Sequence, residues 1–212
     1  MPISSLSPAQ IAALPVTTIA ALTTTDIQSL SATQVGAIAT SGIAALDSTQ
    51  IGALSATQVS GLKGPQIASI QTSVVFDQTQ LQALSGAQVS ALTSTQLSAL
   101  DSTHISELSG AQLGSLSATN LAGLDSTQLS VLNATQIHGI TATQLHGITA
   151  TDIGELSSTQ VGALSAAQLG ALSATAVSAL DATQVGVLNT VNSSSTLSLF
   201  LGSSSVGPDS EN

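Results

Sequence analysis

Leu156-Ser157-Ser158-Thr159-Gln160-Val161-Gly162-Ala163 is followed at once by Leu164-Ser165-Ala166-Ala167-Gln168-Leu169-Gly170-Ala171. The eight-residue period of this stretch runs through most of the chain. Twenty-two eight-residue units and one six-residue unit cover residues 6–187, which is 182 of 212 residues. Position 1 is Leu, Ile or Phe and position 6 is Ile, Val or Leu in all 23 units. Two apolar positions that never fail are core positions, represented by Leu30 and Val35, Leu54 and Val59, Leu132 and Ile137, and Leu156 and Val161.

The spacing then selects a secondary structure. A β-solenoid needs inward residues of one parity. Positions 1 and 6 have opposite parity, so a plain strand sends them to opposite faces. The β-solenoid is therefore the alternative rather than the first choice. A continuous helix fails too, because eight residues at about 100° each rotate the apolar pair by about 80° per unit. The third arrangement fits. Position 2 is Ser, Thr, Asp or Asn in 19 units and position 5 is Gln in 15. Ser or Asp followed three residues later by Gln is a capping box, and the flanking apolar residues form a hydrophobic staple. Ser31 with Gln34, Asp47 with Gln50, and Ser157 with Gln160 are representative caps.

Each octad therefore reads as one short capped helix. Such a helix is too short to persist alone. It must stack its apolar pair on other units. The expected fold is an all-α solenoid, a superhelix of short capped helices around a thin aliphatic core. Gly, Ser and Ala at positions 7 and 8 should let the chain turn and let neighbouring turns approach closely.

Three segments follow from this register. Residues 1–5 form an N-terminal extension, 6–187 the solenoid, and 188–212 a C-terminal segment. The six-residue unit breaks the phase at 70–77, where Val74, Val75 and Phe76 cluster with Lys63 nearby; a kink is expected, with a hinge as the alternative. Leu197, Leu199, Phe200 and Leu201 form an apolar stretch in the C-terminal segment. They are candidates for capping the last repeat, for assembly between copies, or for export.

Composition narrows the function. The chain holds eleven acids against Lys63 alone, a net charge of −10, with no Cys and no Trp. That balance argues against nucleic acid and anionic membranes as partners. No stretch of eighteen apolar residues suggests membrane insertion, and no N-terminal signal peptide is visible. Catalysis is not expected, because the hydroxyls read as caps and one Lys with no Arg offers little to stabilise a developing anion. No cofactor is expected.

His138 and His146 both hold position 7 in adjacent units. Equivalent positions should stack, and with Asp152 and Glu155 nearby they are the weak candidates for a divalent metal; a solvent-facing position that tolerates His is the plainer reading. His104 replaces a capping Gln. Asp47, Asp77, Asp101, Asp125 and Asp181 sit at position 2, where capping accounts for them and calcium is the competing reading. Thr at position 4, found in 16 units, and Gln at position 5 could form a polar ladder for ice, polysaccharide or protein.

The stretch from Leu156 to Ala171 resembles the L-[ST]-x-x-Q-[IV]-x-x octapeptide tracts of large exported bacterial proteins described as adhesin-like or haemolysin-like. The resemblance covers the repeat, 182 of 212 residues. This chain departs from it in being short and nearly all repeat, and it lacks the glycine–aspartate nonapeptides of calcium-binding exported toxins. The resemblance implies a secreted or surface-associated structural or adhesive role. Copies of the same chain, joined head to tail into fibres, and extracellular material are the expected partners.

Overall fold

A computed structural model of the chain describes residues 2–74 and 76–191. Among them are twenty-two α-helices and no strand, from α1 (Pro8–Ala12) to α22 (Ala182–Val191), preceded by a 3₁₀ turn at Ile3–Ser5. Every helix but the last has four to six residues, and each belongs to one octad. The all-α repeat solenoid expected from the register is the architecture found.

The break between helices is local and recurs along the repeat. Position 2 is extended, as at Ser157 with φ −64° and ψ 156°. Position 1 before it is extended as well, as at Leu156 with φ −67° and ψ 137°. The N-cap side chain then accepts the N3 amide, except at Pro15, Ala39 and Lys63, and the next helix begins. The chain turns with no positive φ among the described residues. Glycine is thus not needed for turning, and only the close-approach part of the expectation holds. A Cβ on Gly36 would lie 2.3 Å from the carbonyl oxygen of Gly61, and one on Gly139 would lie 2.2 Å from that of Gly110. At these crossings backbone meets backbone and no side chain fits.

Stacking joins units three apart. Helix α4 (Ala32–Val35) packs on α7 (Ala56–Ser60), α13 (Gly110–Ser115) on α16 (Ala134–Gly139), and α19 (Ser158–Gly162) on α22. The side-chain bonds that link successive turns span 26 to 31 residues, most often 28, which is about three and a half octads per turn. Leu and Val, Leu or Ile at positions 1 and 6 point into the common axis. Leu30, Val35, Leu54, Val59, Leu132, Ile137, Leu156 and Val161 are all buried.

The shortened unit does not interrupt this order. It forms a turn instead of a helix, and α7 still packs on α9 (Gln78–Ala83), and α8 (Gly64–Ser69) on α10 (Gly86–Val89). Because the turn occupies one unit, these pairs remain three units apart. Val74 and Phe76 are buried in its place. At the far end α22 runs through Leu188 to Val191, past the last residue of the expected register, and Leu188 packs partly buried against the core.

Leu132 is 3% exposed. Replacing it with Ala should lower stability by about 2–5 kcal/mol while leaving a helical far-ultraviolet circular dichroism spectrum. A loss under about 1 kcal/mol in chemical denaturation would show that position 1 is not core.

Candidate functional site

The recurring polar element is the position-5 glutamine, and it has two tasks. In Gln128 the side-chain Oε1 accepts the backbone N–H of Asp125, 3.0 Å away, while the Gln128 backbone N–H donates to Asp125 Oδ1 at 2.9 Å. This is the expected capping box. The side-chain Nε2 then donates to the carbonyl oxygens of Leu97 and Leu100 on the preceding turn, at 3.0 and 2.6 Å. The same arrangement holds at Gln34, Gln50 and Gln160 with their caps Ser31, Asp47 and Ser157.

The cross-turn bonds explain the burial of these side chains. The position-1 carbonyl ends each helix without an intrahelical partner and faces the interior. An amide reaching across from the next turn satisfies it. Fourteen position-5 glutamines are buried. Gln10, in the first turn described, is exposed.

Natural substitutions separate the two tasks. Asn120 is one methylene shorter; its Nδ2 donates to Leu92 at 2.8 Å, but no capping box forms at Ser117. Asp152 has no amide; it keeps the box by accepting the Thr149 N–H at 3.0 Å. His104 pairs with its own cap, Nδ1 lying 2.7 Å from Asp101 Oδ1.

The expected Thr/Gln ladder therefore splits. Glutamine belongs to the interior and offers nothing to a ligand. All 16 position-4 threonines are exposed.

The two candidate metal histidines do not stack. Their units are consecutive, whereas stacking joins units three apart. His138 Nδ1 lies 2.7 Å from the Ala134 carbonyl oxygen of its own helix, and His146 Nδ1 lies 3.3 Å from that of Ala171 on the following turn. No cluster of three or more His, Cys, Asp or Glu suited to a metal exists among the described residues. Asp47, Asp77, Asp101, Asp125 and Asp181 all accept the N3 amide as caps. Leu197, Leu199, Phe200 and Leu201 lie outside the described residues.

The two ends differ from the middle. Among the described residues, Val16 in α2 (Val16–Ala20) and Val185 in α22 are the exposed large hydrophobics, at 40% and 39%. Leu6, Leu14 and Leu22 at one end, and Leu180 and Leu188 at the other, are only partly covered. In the first turn position 5 reads Gln10, Thr18 and Asp26. Two of these three carry no amide that could donate to another turn.

Replacing Gln128 with Glu removes both cross-turn donors and should destabilise by about 2–5 kcal/mol. Asn should cost less, because Asn120 keeps one bond; equal or reversed losses in thermal unfolding would remove the cross-turn role. Hydrogen bonds from the Thr23 hydroxyl and then the Thr23 backbone N–H hold the Asp26 carboxyl below 3.8. A lowered carboxyl supports folding above its unfolded value and loses that support as pH falls through the folded one. Thr23→Ala should bring the Asp26 titration, followed by NMR, back up toward 3.8. Comparison of the chain with family models and with curated proteins finds no match.

Proposed function

We propose that this chain is an extracellular structural or adhesive scaffold whose copies join end to end into fibres. The observation that carries this reading is the contrast between the repeat and its ends. Within the repeat, the caps and the buried glutamines are engaged in folding: caps hold helix starts, and glutamines join turns. At the two ends apolar side chains remain partly uncovered, with Val16 and Val185 the most exposed. Apolar surface left on both ends of a rod favours linear association, because a head-to-tail contact does not close on itself. Placement outside the cell rests on the resemblance to exported octapeptide tracts.

This reading assigns no catalytic residue. Rigidity would come from nearest-neighbour interfaces repeated along the axis. A second reading, a monomeric module binding ice, polysaccharide or protein, draws on the exposed threonines at position 4. Its surface would be hydroxyl and methyl groups, without the glutamines.

Light scattering across a wide concentration range, together with electron microscopy, should show linear assemblies. A strictly monomeric species that also fails to bind surfaces would refute the scaffold reading. Thermal hysteresis or glycan binding by that monomer would favour the second.

A further inference from the structure

The first turns carry a groove that the repeat does not explain. Pro8, Ala32, Thr33, Gly36, Ala37, Gly61 and Lys63 line it, and its volume is about 380 Å³. The floor is small because Gly36 and Gly61 meet backbone to backbone. Units 1, 4, 7 and 8 supply it, so it lies toward the N-terminal end.

Lys63 is out of place by the rules of the fold. It holds the N-cap position of α8, makes no side-chain cap bond, and is the one charged residue among the exceptions at position 2, the others being Pro15, Ala39 and Gln71. An uncapped N-cap costs roughly 1 kcal/mol. A cation at a helix start is also disfavoured by the helix dipole. The only cation of a chain with net charge −10 thus occupies a position that local stability would give to another residue. Rule-breaking positions of this kind mark function more often than folding.

The chain itself contains a segment of matching chemistry. Leu197, Leu199, Phe200 and Leu201 are followed by Asp209 and Glu211. Outside the repeat no other stretch combines apolar side chains with acids. Chain length decides between the same copy and another. From Lys63 to Val191 is 128 residues, about four and a half turns at 28 residues each. At about 9 Å per layer of packed helices, that is about 40 Å. Leu201, the far end of the apolar stretch, follows Val191 by ten residues, a reach of about 34 Å. The apolar stretch falls short of its own groove, and a second copy placed end to end brings a groove within range.

We infer that the groove beside Lys63 receives the 192–212 segment of a second copy, apolar side chains on the small-residue floor and an acidic side chain on the Lys63 ammonium. This deepens the end-to-end reading and rests on it. It also supplies a connector that the glutamine ladder does not, since Thr18 and Asp26 interrupt the ladder in the first turn.

A fluorescent peptide of sequence 192–212, titrated into the full chain and followed by anisotropy, tests the contact. Saturable binding is expected. Lys63→Glu should weaken it at least tenfold without changing the circular dichroism spectrum, since Lys63 caps nothing. A peptide carrying Asp209→Lys and Glu211→Lys should restore binding to that variant. A peptide carrying Leu199→Asp and Phe200→Asp should lose binding to the unaltered chain. No binding, or equal binding by the Lys63→Glu chain, overturns the inference. Light scattering of the Lys63→Glu chain separates the two claims. Fibres as abundant as those of the unaltered chain would overturn the tail contact and leave the end-to-end reading intact. An unaltered chain that stays monomeric yet binds the peptide in a Lys63-dependent way would uphold the groove and refute the fibre.

Discussion

One side chain holds the superhelix together. The glutamine at position 5 closes its own helix start through Oε1 and satisfies carbonyl oxygens of the preceding turn through Nε2, as Gln144 does for Leu113 and Leu116 at 2.8 Å each. Both amide hydrogens and the carbonyl oxygen are engaged. Glutamate lacks the donors, and asparagine lacks the length. A repeat that ends a helix every eight residues would otherwise leave an interior carbonyl unpaired in each unit, and such groups cost about 1–3 kcal/mol apiece. The glutamine ladder turns that liability into the link between layers.

The apolar pair and the small residues depend on this link and complete it. A helix of four to six residues has almost no independent stability, so each unit borrows its order from neighbours three units away. Leu, Ile and Val at positions 1 and 6 supply the burial that drives the stacking. Small residues at positions 7 and 8 set the distance at which it occurs, and at Gly36 and Gly61 the distance admits no Cβ. The shortened unit shows which requirement dominates. Two residues and one helix are missing there, yet Val74 and Phe76 keep the core filled and the three-unit stacking continues.

Function has to be sought where these requirements relax. Position 4 faces outward in every described unit and tolerates Thr, Ser, Ala or Pro. The first turn carries Thr18 and Asp26 in place of glutamine. Lys63 departs from the capping rule beside a groove. A histidine or aspartate within the body of the repeat, by contrast, is accounted for by a nearby backbone or cap partner, as at His138 and Asp152.

Much of this was legible in the residues themselves. The capping box and the staple are complete within a single octad, so Ser157, Gln160, Leu156 and Val161 determined helix, break and core face without reference to any other part of the chain. Tertiary structure decided the rest. The return of the chain after about three and a half octads depends on how closely layers pack, which no single octad encodes. Only that return reveals the second task of glutamine, moves it from the surface to the interior, and separates it from the exposed threonines. It also sets His138 and His146 on different sides of the turn. Local hydrogen bonds are specified by spacing along the chain, whereas contacts 28 residues away are specified by the pitch of the whole superhelix.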